Sequence, residues 1–272
     1  MFFEVNHHTS YCYTGGKAFD AAKPTVVFIH GVLNDHSVWI LQTRYLANHG
    51  YNVLAVDLPG HGRSAGEPPA SVEEGAAFVL ALLDAAGIKS ATLVGHSFGS
   101  LIALEAAARW PGRVSHLALV GIASPMKVSP ALLDASLNQP MKAIDMVNTF
   151  SHSMLAPPPS GLGPGTWLYG SSRALMKRVL ASNTQVNVFH TGFKACDSYI
   201  GGEAAMARVS CPVLFILGED DQMTLARMAQ PLIALCPGAK VVKLKSGHQL
   251  MLEAPDGVLF ALRDFLGAKG KP

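Results

Sequence analysis

Ser97 stands in the stretch LVGHSFGS, between Gly95 and Gly99, where an apolar run gives way to a segment of helical period. GHSFG has the GxSxG form of a nucleophile elbow, a strand-to-helix turn so tight that its flanking positions favour glycine. A helix that starts there points its unpaired N–H groups and the positive end of its dipole at whatever lies over the strand's carboxyl end. A serine hydroxyl is a weak nucleophile until a base takes its proton, and a histidine base needs a carboxylate to fix its tautomer. ILGEDDQ offers Asp220 and Asp221 at the end of a later apolar run, and KSGHQLMLEAPD puts His248 on a loop before the last helical segment. The chain order of serine, acid and histidine fits acyl transfer. The N–H of Phe98, directly after Ser97, would then face the developing oxyanion.

Positioning these groups requires a sheet. Residues 25–31, 51–57, 90–97, 116–123, 211–218 and 239–245 are short, β-branched, nearly continuous apolar runs, the pattern of strands buried on both faces. Helical segments separate most of them, one opened by Ser71 as N-cap with Glu74 completing a capping box and closed by Gly87. The alternation predicts an α/β fold around a mostly parallel central sheet flanked by helices. FFEVN and SYCYT lie too close together for a crossover and predict an antiparallel hairpin at one edge. Between residues 124 and 208 the alternation breaks for longer than any ordinary connection, so this segment is expected to be an inserted helical cap on a core of residues 1–123 and 209–272. Within it, 171–183 has a helical apolar face and APPPSGLGPG reads as loop.

The composition narrows the function. The 272 residues are 49% hydrophobic with a net charge of +2, and no basic run marks a nucleic-acid surface. Four scattered cysteines lack metal spacing and read as free thiols, which together with an amino terminus unlike a signal peptide predicts a cytoplasmic protein. No apolar run approaches the ~18 residues of a membrane span. His7, His8, His30 and His36 have no acids or cysteines at ligand spacing, and no Gly-rich loop cradles a nucleotide, so neither metal nor cofactor is expected.

FIHGVLNDHSVW, VDLPGHGRS, GHSFGS, and GEDD with GHQLMLEAP resemble the motifs of the α/β-hydrolase superfamily, in the capped branch of serine esterases, lipases and cofactor-free haloperoxidases. The resemblance covers residues 25–123 and 209–267 and hardly touches the cap. It implies Asp221 rather than Asp220 as the acid, the N–H of Val32 as the second oxyanion donor, and structural roles for His30 and His61. Relatives that open epoxides or carbon–halogen bonds carry aspartate where Ser97 stands. Hydroxynitrile lyases carry lysine where Gln249 stands, carbon–carbon bond hydrolases asparagine where His96 stands, and proline aminopeptidases a Gly/Pro-rich loop unlike HGVLND. What remains is carboxylic ester or thioester hydrolysis, which perhydrolysis can accompany.

The expected substrate is a small to medium, largely apolar ester held under the cap, with Met126, Trp167 and Phe189 on the substrate side. Met146, Met154, Phe150 and Phe193 belong to the same group of cap residues, which serve equally well as the cap's own core. Two other readings use the same residues. One is a ligand receptor that keeps the fold with one turnover or none. The other is a thioesterase acting on a carrier-bound acyl group, drawn by a cap with seven basic and four acidic side chains. Oligomeric state is not legible.

Overall fold

The apolar runs become strands because their β-branched side chains fill two layers at once. The computed structural model describes residues 1–20, 22–153 and 167–267. Strands β1 (Phe2–Val5) and β2 (His8–Tyr13) form the predicted antiparallel hairpin. They are followed by β3 (Thr25–Ile29), β4 (Asn52–Val56), β5 (Ala91–His96), β6 (Val114–Val120), β7 (Val213–Gly218) and β8 (Lys240–Leu244). The order across the sheet is β1-β2-β4-β3-β5-β6-β7-β8, and the strands from β4 to β8 run parallel.

Period-two alternation is visible within single strands. Val27 and Ile29 of β3 enter one apolar cluster while Val26 and Phe28 enter the other. Helices α1 (Ile40–Asn48), α2 (Val72–Ala85) and α3 (Phe98–Arg109) follow β3, β4 and β5 in turn. α2 and α3 close the first face, whereas Trp39 and Leu46 help to close the second. Ser71 caps α2 through a bond from the Glu74 N–H, and Glu74 reaches back to the N–H of Ala70.

Among the described residues, four cap helices interrupt the alternation: α4 (Pro130–Asn138), α5 (Pro140–Ser151), α6 (Leu168–Ser182) and α7 (Val188–Ser198). They share a small core of their own around Ile144, Met176, Val179 and Phe189, into which Leu33 of the loop after β3 also packs. The short α8 (Gly202–Met206) lies within the segment expected as cap, yet its Ala205 and Met206 join the main core. Met154 and the whole APPPSGLGPG stretch lie outside the described residues.

The last part of the chain departs from the sequence pattern in two places. The helical segment after β7 yields only a single 3-10 turn and α9 (Gln230–Ala234), because Pro231 has no N–H to continue a helix from the preceding turn. β8 was expected to be buried on both faces, but it is the sheet's edge. Its lysines and Val241 face solvent, and charged side chains there discourage further strand pairing. α10 (Leu250–Glu253) and α11 (Pro255–Leu266) are the last helices among the described residues, and α11 packs Val258 and Leu262 onto the second face.

Candidate active site

The strand order reverses between β3 and β5: β4 lies on one side of β3, and β5, β6 and β7 follow on the other. Loops leaving the carboxyl ends of β3 and β5 therefore diverge and open a crevice between them. Ser97 is the residue between β5 and α3. Its backbone lies at φ 53° and ψ −119°, a region that non-glycine residues adopt only when the surroundings impose it. Those surroundings are close. The Ser97 N–H bonds to the carbonyl of Val120, and a Cβ at Gly95 would overlap the Gly99 carbonyl. Phe98 opens α3, so its N–H has no acceptor within the helix. Val32 and Ser97 line the same cavity.

His248 comes from the loop between β8 and α10. Its Nδ1–H donates to Asp221 Oδ2 at 2.8 Å, which leaves Nε2 with a free lone pair. Asp221 is buried at the carboxyl end of β7, and its Oδ1 accepts from the N–H groups of Met223 and Thr224, both at 2.8 Å. The Thr224 hydroxyl donates to Asp221 Oδ2 at 2.7 Å and also lies 3.0 Å from His248 Nδ1. Burial pushes the Asp221 carboxyl up, but the His248 charge and these donors outweigh it and hold the group below the ordinary carboxylate range. Asp221 therefore stays ionised wherever the histidine works. Asp220 is exposed, and among the described residues its backbone N–H bonds to the carbonyl of Ser246 while its carboxylate has no partner. The ring bonds of His248 go through Nδ1, and the bond to Ser97 Oγ is not made in this resting geometry. Such contacts commonly tighten only with substrate bound.

Above Ser97 and His248 lies a cavity of about 260 Å³, walled by Met126, Val128, Leu132, Met146, Phe150 and Phe193 on the cap side. Of the three residues expected on the substrate side, Met126 is in this wall. Phe189 is not: it is fully buried in the cap core, with its ring 5.0 Å from that of Phe193, which faces the cavity in its place. Trp167 is more than half exposed and stacks on Tyr169 in a separate surface depression with Arg173 and Lys177.

His30 holds the loop after β3. Its Nδ1–H donates to the Gly31 carbonyl at 2.8 Å and its Nε2 accepts the Leu58 N–H at 3.0 Å. Asp35, His36 and Asp57 converge, a grouping that linear spacing hides because Asp57 follows a different strand. Their carboxylates are already occupied by protein donors. Asp35 accepts from Ser37 and from Arg178 of the cap, and Asp57 accepts from His36 and from the Arg63 N–H. The trio reads as a brace between the loops.

Burial keeps His61 and His96 neutral, assisted by the neighbouring charges of His30 and His248 respectively, with both pKa values lowered to about 3. Unfolding restores an ordinary value near 6.5, so between those limits the unfolded chain takes up the protons. Their stability contribution is complete above pH ~6.5 and declines as pH falls, by about 1.4 kcal/mol per pH unit for each ring. Urea midpoints measured from pH 7 to 4.5 are expected to drop steeply. A flat profile would mean that both rings protonate within the fold.

A strained serine at the switch point of a parallel sheet, with a histidine and a buried carboxylate on neighbouring loops, defines a hydrolase-type α/β architecture. The family described as alpha/beta hydrolase fold matches residues 24–255, and the chain belongs to it. A putative carbamate hydrolase of Pseudomonas savastanoi pv. phaseolicola is 27% identical over 92% of this chain and 96% of its own length. The enol-lactonase of Burkholderia xenovorans superposes with a TM-score of 0.82 at 22% identity, covering 98% of this chain and 100% of the other. An esterase from Exiguobacterium antarcticum superposes with a TM-score of 0.81 at 18% identity, covering 98% of both chains. These two superpositions speak for the fold alone. The chain spans only 26% to 55% of the length of three other curated relatives it matches. No helix among the described residues is long and apolar enough to cross a membrane.

Proposed function

We propose that this protein hydrolyses carboxylic esters through an acyl-enzyme on Ser97. The observation that carries the reading is one constellation: Ser97 held at positive φ, facing the same apolar cavity as a histidine whose far nitrogen is bonded to a buried carboxylate. Ser97 Oγ attacks the ester carbonyl while His248 Nε2 takes its proton. The N–H groups of Val32 and Phe98 hold the oxyanion, and the alcohol leaves with the proton that His248 returns. Water then repeats the sequence on the acyl carbon and frees Ser97 with the carboxylic acid. Asp221 keeps His248 in the tautomer that makes this possible. The apolar cap-side wall favours an acyl chain of small to medium length.

The experiment is labelling with a fluorophosphonate, with identification of the modified residue, beside a series of p-nitrophenyl esters of increasing chain length. Label on Ser97 with many turnovers, and a chain-length optimum, is the expected result. Label without turnover would favour the ligand-receptor reading, and no label would mean that Ser97 is not activated.

A further inference from the structure

A second, much smaller recess of about 30 Å³ adjoins the apolar cavity and shares Ser97 and His248 with it. Its walls include His96, Ser151 at the end of α5, and Gln249. All three side chains are more than nine-tenths buried, and each has a polar atom with no hydrogen-bond partner among the described residues: His96 Nδ1, Ser151 Oγ and Gln249 Oε1.

The chemistry of these atoms is constrained. His96 Nε2 lies 2.9 Å from the backbone carbonyl of His248, an oxygen that can only accept, so Nε2 carries the hydrogen. The ring is neutral, and Nδ1 is therefore an acceptor. Gln249 Oε1 is a second acceptor, and the Ser151 hydroxyl can donate or accept. Buried polar atoms left unmet are costly, and native proteins satisfy them with protein groups or ordered water. Two acceptors and one hydroxyl suit a molecule with two donors and a lone pair, and a recess of about 30 Å³ is roomy enough to admit water.

We propose that the recess binds one ordered water molecule, held by His96, Ser151 and Gln249, and that this water is the nucleophile that releases the acyl group from Ser97. The proposal rests on the ester-hydrolase reading. In the step, the water oxygen bonds to the acyl carbon as His248 Nε2 takes one of its protons. The tetrahedral intermediate then collapses, the bond from carbon to Ser97 Oγ breaks, and Oγ takes the proton from His248. The product is the carboxylic acid. Ser151 and Gln249 act as positioning residues for the water and leave the first half-reaction alone.

Ser151→Ala and Gln249→Leu test this. In single turnovers on p-nitrophenyl acetate with enzyme in excess, p-nitrophenol release reads acylation and intact-protein mass reads the lifetime of the acyl-enzyme. Release is expected within about twofold of the parent protein in both variants, with the acyl-enzyme about tenfold longer lived, the effect of losing one good hydrogen bond in that step alone. In steady state kcat and KM then fall together wherever acyl release limits turnover. Ser151→Ala removes a single oxygen and keeps the test open if Gln249→Leu does not fold. Unchanged lifetimes, or acylation and release slowed in parallel, overturn the proposal. Absence of both p-nitrophenol release and an acyl increment on the parent protein would instead sink the ester-hydrolase reading, and this proposal with it.

Discussion

Ser97→Ala is expected to lower kcat on p-nitrophenyl butyrate by about 10⁴-fold or more, and His248→Ala by a similar factor. The two losses do not add. The serine needs the histidine to lose its proton, and the histidine has nothing to activate without the serine, so the double variant is expected to be no worse than either single one. Residual turnover in all three is expected to come from the oxyanion hole proposed for the Val32 and Phe98 N–H groups, which are backbone and survive the substitutions. The comparison is made at saturating substrate on protein whose thermal unfolding matches the parent. Near-parental activity in either single variant would refute the mechanism, and additive losses would show that the two groups act in different steps.

The second large effect is structural. A Cβ at residue 99 would overlap the carbonyl oxygen of Ile29 and lie 2.6 Å from that of His30, both backbone atoms of the neighbouring strand end. Backbone cannot swing aside as a side chain can, so Gly99→Ala is expected to cost roughly 3 kcal/mol, through forced separation of α3 from β3. Gly112→Ala is the control, since nothing lies within 4 Å of a Cβ there, and it is expected to stay within about 0.5 kcal/mol. Urea midpoints of the two variants measure the difference. Equal midpoints would mean that the elbow tolerates a methyl group and that its tightness is not what fixes Ser97.

The sequence made the elbow legible because a turn between a buried strand and a helix needs glycines at set distances from the serine. The sheet was legible because each central strand is apolar on both sides. Less could be read where the outcome depends on how elements rotate against each other. Phe189 and Phe193 stand one helical turn apart and both are apolar, yet the seating of α7 sends only Phe193 to the cavity. Edge position cannot be read from composition either, and β8 is the example. The part of Thr224 is not legible either, although an aspartate that accepts the N–H two residues on is a known local turn, and that turn gives Asp221 its backbone donors. The convergence of Asp35, His36 and Asp57 was hidden by sequence distance. Trp167 is aromatic and lies in the cap, and neither property says which way a side chain faces.

Glu253 has a part in the site without touching any reacting group. Its carboxylate accepts the Gly247 N–H through one oxygen and the N–H and hydroxyl of Ser153 through the other, while the Gln249 N–H bonds to the carbonyl of Ser151. The chain that leaves α5 is thereby stitched to the residues on both sides of His248. At this seam the roof of the cavity and the proton acceptor are a single mechanical part. Breaking these bonds would disturb the cap and the His248 loop together, because the same few hydrogen bonds hold both.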